Sequence, residues 1–226
     1  MLPIFAKCET FQSTPQLITT LRYHFMSSAI PSTIPSPLDI CNIALSKLGE
    51  APIPSLDANG SPASRLCYMH YHPVRREVLC AARWSFAKKK VELSGAFSDD
   101  TGMHSVPHTL PQDCLRVLAV NCPSWTLRGR TIFCTRQDIQ LLYIADIEDT
   151  SLFEPLFIEA LATRLACKLC IPLLSSTTAR KALTDEYNHL ALPQAVHYNA
   201  VQDRSNDTHP LYHLWRSCQS ASVDLE

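Results

Sequence analysis

The chain changes its apolar period twice, and this constrains its fold more than any other feature. Apolar residues recur at helical spacing towards both ends and fall into short β-like runs between them. In the first region Ile40, Cys41, Ala44, Leu45 and Leu48 lie mostly three or four residues apart. Ser36-Pro37-Leu38-Asp39 opens it with a capping serine, a proline suited to the first helical position and an aspartate placed for a capping box. Gly49 closes it. Ser61-Pro62 repeats the cap chemistry, and Leu66, Met69, Val74, Val78 and Ala81 fall roughly on one face. Pro73 is expected to kink or split this second helix, because proline removes a backbone donor and crowds the preceding turn.

From Trp84 to about Ile147 the runs KKKVELS, CLRVLAV, TLRGRTIFC and IQLLYIAD read as strands. A small antiparallel sheet is expected, with Arg128-Gly129-Arg130 as a tight turn and a mobile loop around 95–109. Helical spacing returns at Ser151-Leu152-Phe153-Glu154, read as another capping box. Phe157, Ile158, Leu161, Leu165 and Leu169 form the stripe that follows, which Pro172 is expected to end. A last helix from about Ser176 turns Ala179, Leu183, Tyr187 and Leu190 inward and bends at Pro193. The expected fold is therefore α+β. Helices 37–48, 62–82, 152–171 and 177–200 form a bundle built from N- and C-terminal helix pairs, and a small antiparallel β-sheet is inserted at 84–147.

Residues 1–36 read as a disordered or non-native lead-in with Met26 as the biological start, 37–203 as the domain and 204–226 as a flexible tail. Val223 to Glu226 read as an appended terminus. The first 25 residues lack the apolar core of a signal peptide, and no run approaches the about 20 apolar residues of a membrane span. An intracellular product with no membrane partner is the expectation. A net charge of −1 gives no global reason to bind nucleic acid or an anionic membrane, so such binding needs a local patch. The ten cysteines are scattered among aliphatic neighbours and read as small buried hydrophobes in a reducing compartment.

Catalytic signatures are weak. Cys167-Lys168-Leu169-Cys170 has the spacing of a redox or zinc pair, but no second such pair exists and the motif lies within an apolar helical stripe. His70 and His72 would point about 200° apart on a helix, which is poor for shared ligation. There is no nucleophile elbow, Walker loop or dinucleotide fingerprint, and only five glycines are available to cradle phosphates. No catalytic residue, cofactor or metal site is expected.

Charge is more informative. Arg75, Arg76, Arg83, Lys88, Lys89 and Lys90 cluster against a single nearby Glu77, while Asp146, Glu148, Asp149, Glu154 and Glu159 gather ahead of the third helix. Each cluster is either a solvated face or one of two complementary surfaces between identical subunits. Within ARWSFAKKKVEL, Trp84 and Phe86 are expected to plug the helix–sheet junction. A strand would turn Lys88 and Lys90 to one side and Lys89 to the other. Arg75, Arg76, Arg83, Lys88 and Lys90 are thus the basic residues expected to face a neighbour or a channel. Asp146, Glu148, Asp149 and Glu154 are their acidic counterparts. Two other readings stay open: a nucleic-acid-binding module using the basic cluster at 75–90, and a metal or redox protein using Cys167 and Cys170.

Four stretches, in order, resemble phage head-to-tail connector proteins of the tail tubular protein A or adaptor type. Leu38 to Asp57 (LDICNIALSKLGEAPIPSLD) is similar to their opening helix and loop. RREVLCAARWSFAKKKVELS is similar to their second helix and the Trp-x-Phe that leads into the sheet. LPQDCLRVLAV (Leu110 to Val120) resembles a strand of theirs, and Tyr143 to Leu169 resembles their third helix with its Phe-x-x-x-Phe entry. The resemblance covers about residues 37–200 and implies a helical bundle with an inserted β part and no catalysis. It also implies a homo-oligomeric ring, typically a dodecamer, that docks beneath the portal protein ring, meets a downstream tail protein and lets double-stranded DNA pass non-specifically. Such a protein is assembled in the host cytoplasm and resides at the head–tail junction of the virion. The chain departs from the family in its cysteine content, in Pro193 and in its extended ends.

Overall fold

Serine caps start three of the helices where the sequence supplies them. A computed structural model describes residues 34–95 and 106–203, and the lead-in up to residue 33 and the tail from 204 lie outside the described residues. Helix α1 (Pro37–Lys47) opens with a reciprocal capping box: the Asp39 N–H donates to Ser36 Oγ at 3.2 Å, and the Ser36 N–H donates to Asp39 Oδ2 at 2.8 Å. These bonds hold the Asp39 carboxyl below its ordinary pKa. Helix α2 (Pro62–Ala81) starts on Ser61, whose hydroxyl accepts from the Ser64 N–H. It runs unbroken through Pro73, so the helix is not split there. Pro73 lies on the exposed side, where water can meet the carbonyl it leaves without a donor, while Val74 and Val78 keep the other face buried.

Helix α3 (Pro155–Leu174) starts at Pro155, so the expected Ser151–Glu154 box does not form. A residue before proline is driven to extended backbone, and Glu154 sits at φ −69°, ψ 148°. Ser151 belongs instead to a 3₁₀ turn, Thr150–Leu152, capped by Asp149. Pro172 does not end α3 either. The helix stops two residues later at Leu174, and the left-handed backbone of Ser175 (φ 51°) turns the chain. Helix α4 (Thr177–Glu186) is capped by Ser176 and passes through one π-helical turn, Tyr187–Ala191, into α5 (Leu192–Asp203). The Leu192 N–H donates to the Tyr187 carbonyl five residues back. This widening directly precedes Pro193, so the proline is accommodated by a change of helical register.

The β region forms two three-stranded antiparallel sheets where a single sheet was expected. The first has order β1-β6-β3, with β1 Lys88–Ser94, β3 Cys114–Val120 and β6 Asp138–Ala145. The second has order β2-β5-β4, with β2 Val106–Thr109, β4 Trp125–Arg128 and β5 Thr131–Cys134. Strand β2 lies in the stretch expected to be loop, and residues 96–105 of that stretch fall outside the described residues. Being four residues long and carrying Pro107, β2 gives little strand signal, yet an edge strand tolerates a missing donor. The turn between β4 and β5 is the expected one, with Gly129 at φ 59°. Gly95 leaves β1 so close to Val106 and Pro107 that a Cβ there would collide with them.

The fold is thus α+β. Helix α3 packs against α1, α2, α4 and α5, and one apolar cluster joins Ile40, Leu45, Leu79, Phe157 and Leu161 of the helices to Ile139, Leu141 and Ile144 of β6. No helix among the described residues is long and apolar enough to cross a membrane.

Candidate functional site

The two charge clusters meet inside the chain. Arg75 and Arg76 stand near the middle of α2, while Asp146 and Glu148 follow β6 on the way to α3. Arg75 is 1% exposed, and its NH2 group donates to Asp146 at 2.7 Å and to Glu148 at 3.0 Å. The Arg76 Nε donates to the second oxygen of Asp146, also at 2.7 Å. One carboxylate therefore bridges two guanidiniums, and α2 is tied to the segment that starts α3. Arg75 NH1 also lies 3.3 Å from His72 Nδ1. A residue buried to this degree takes no part in a surface contact of the folded chain, so Arg75 leaves the set expected to face a neighbour.

The lysine triplet divides in the same way. Lys88 pairs with Asp203 at the end of α5, and Lys89 pairs with Asp113 at 2.8 Å. Lys90 and Arg83 are exposed and have no carboxylate partner among the described residues. Glu154 takes a long bond from the Ser85 hydroxyl at 3.4 Å, and burial raises its carboxyl despite that bond. Asp149 caps its turn and is otherwise exposed.

Trp84 and Phe86 sit between the end of α2 and the start of β1, Trp84 capping the one-turn 3₁₀ segment Ser85–Ala87 and Phe86 at its middle. Trp84 is fully buried, and its Nε1 donates to the Val78 carbonyl at 2.8 Å. Its ring meets Phe157 edge-on at 4.9 Å, and Phe86 lies 5.7 Å from Phe153 and 5.0 Å from Phe157. Four aromatics from two distant stretches thus seal the place where α2, β1 and α3 converge. Asn199 of α5 locks the same corner: its Oδ1 accepts from the Ser85 N–H at 2.7 Å, and its Nδ2 donates to the Arg83 carbonyl at 2.9 Å.

Cys167 and Cys170 are both buried within α3. Cys170 donates to the Ser176 carbonyl at 3.4 Å, and burial pushes the Cys167 thiol above its ordinary pKa although Thr184 and Arg164 pull it down. Among the described residues no three histidine, cysteine or acidic side chains are grouped to hold a metal ion.

Sequence reasoning missed Asp113, which sits in the turn between Leu110 and β3. It accepts from Lys89 and, at 3.0 Å, from the Tyr143 hydroxyl. The Lys89 bond first, then the Tyr143 bond, hold its carboxyl below the ordinary value. A depressed carboxyl contributes stability above the unfolded pKa of about 3.9 and loses it as pH falls through the folded value. Asp113→Asn is therefore expected to lower the urea midpoint near neutral pH, and the gap from the parent should close as pH falls through the depressed folded value. A gap that stays constant with pH would refute this account.

No protein-family model and no curated protein matches the sequence.

Proposed function

We propose that the chain is a structural head-to-tail connector of a phage or prophage particle, forming an oligomeric ring between portal and tail that lines the DNA passage. The observation that carries this reading is the order of the four resembling stretches along the fold. They fall on α1 and its loop, on the second half of α2 with the Trp84 turn and β1, on β3, and on β6 running into α3. Each includes a joint of the architecture rather than an isolated helix. The reading takes the helices from both chain ends as one bundle around α3. Its partners are the portal protein ring, further copies of the chain in a dodecamer, a downstream tail protein and passing double-stranded DNA. It places the chain in the virion, assembled in the host cytoplasm, with no catalytic role.

The ion pairs narrow how such a ring would be held. Arg75, Arg76, Lys88 and Lys89 already have carboxylate partners within the chain. Arg83 and Lys90 remain to meet exposed acids such as Asp149 on a neighbour. The same pairing weakens the reading of 75–90 as a nucleic-acid surface, because four of its cations are already engaged. Negative-stain microscopy of the chain mixed with the portal protein of its own particle is expected to show a ring added to one face of the portal. A chain that binds no portal ring would end this proposal, whereas a monomer in isolation would not.

A further inference from the structure

The second sheet carries an open, arginine-edged strand. β4 pairs only with β5 among the described residues, and all four of its residues are exposed, Trp125 at 38% and Leu127 at 43%. A two-residue turn makes Arg128 and Thr131 the hydrogen-bonded pair that closes the hairpin. The backbone groups of Trp125 and Leu127 therefore point away from β5, as an unused edge. The side chains divide by face. Trp125 and Leu127 share the face of Ile132 and Cys134, which are buried, so they form the uncovered rim of the apolar side. Thr126 and Arg128 share the other face with Phe133, and the Arg128 guanidinium lies 5.7 Å from that ring.

The stretch that carries this hairpin has charge of one sign. From Cys114 to Gln137 the chain contains arginines but no aspartate or glutamate. Arg130 bonds the Pro111 carbonyl and Arg136 bonds the Asn121 carbonyl at 2.9 Å, so both are held in place by neutral acceptors, and neither forms an ion pair among the described residues. Tryptophan and arginine are the residue types that anchor protein interfaces, and open edges are where extended segments add.

We propose that β4 is a docking edge for an extended strand of a partner protein in which apolar and acidic residues alternate. Its apolar side chains extend the cover over Trp125 and Leu127, while its carboxylates fall on the opposite face beside Arg128, with Arg130 and Arg136 adding positive charge at the two ends of the hairpin. A second copy of β4 would set these arginines against their own kind, and DNA phosphates would leave Leu127 without an apolar partner. The assignment goes beyond the connector reading and holds whether or not the chain forms a ring.

The test uses the full chain and a blocked, fluorescent peptide alternating valine and glutamate, with a valine–lysine peptide as control. The glutamate peptide is expected to bind saturably, about tenfold more tightly than the lysine peptide, and to slow hydrogen exchange at the Trp125 and Leu127 amides. Leu127→Pro removes an outward donor at an edge position that tolerates proline, and should weaken binding at least about tenfold. Arg128→Glu keeps the edge and should shift the preference towards lysine, which maintains the test if the proline variant misfolds. Equal binding of the two peptides, or unchanged binding by Leu127→Pro, would overturn the proposal. It would also fall if duplex DNA displaced the peptide through the same arginines, or if the parent dimerised through this edge without peptide.

Discussion

Replacing Trp84 with alanine is expected to cost about 4 kcal/mol, the upper range for truncating a buried aromatic. The side chain is fully buried and ranks among the largest buried groups. Its loss opens a cavity bounded in part by Phe86 and Phe157. It also leaves the Val78 carbonyl, near the end of α2, without the indole donor at 2.8 Å. For a chain of this size the midpoint of thermal unfolding should fall by roughly 8–16 °C. Trp84→Phe helps to separate the two contributions, since it keeps an aromatic ring in the site while removing the donor. About 1–3 kcal/mol is expected for that variant, the cost of one unsatisfied buried acceptor. Urea unfolding followed by far-UV circular dichroism measures both. An alanine variant within about 1 kcal/mol of the parent would show that the corner repacks, and that the aromatic cluster is not what holds α2, β1 and α3 together.

What the sequence made legible was mostly local. Ser36, Ser61 and Ser176 each cap the helix expected after them, because a cap depends on residues within one turn. The positions of Trp84 and Phe86 were legible as the joint between two periods. Proline was misread twice, as a break in α2 at Pro73 and as the end of α3 at Pro172, because its effect depends on what surrounds the backbone it disturbs. Pro73 faces water, Pro172 stands two residues from a natural stop, and Pro193 follows a π turn that absorbs it. Strand β2 escaped notice because four residues with a central proline carry almost no pattern, and pairing with β5 creates the strand. The charges were read as clusters but not as pairs. Arg75 and Asp146 lie 71 residues apart, and no spacing rule connects them. Only the fold, by bringing α2 against the segment between β6 and α3, turns two surface-like runs into a buried bridge.

That bridge yields the second large effect. Asp146→Ala is expected to cost about 3–5 kcal/mol, while Arg76→Ala costs less than about 1 kcal/mol. The asymmetry follows from burial. Asp146 is 14% exposed and serves both arginines, whereas Arg76 is 54% exposed and can return to water when its partner is lost. Without Asp146, the guanidinium of Arg75 stays buried with only Glu148, itself 67% exposed, as a carboxylate partner. The Arg75 Nε has no acceptor to begin with among the described residues, and beyond Glu148 the guanidinium keeps only the 3.3 Å contact of NH1 with His72. A buried cation stripped of its main partner is costlier than the pair is stabilising, so replacing both members should recover most of the loss. Arg75→Met combined with Asp146→Leu is therefore expected to unfold closer to the parent than Asp146→Ala alone. A double variant less stable than Asp146→Ala would mean that the pair is needed for its geometry, placing the start of α3 against α2, rather than to avoid an unpaired buried charge.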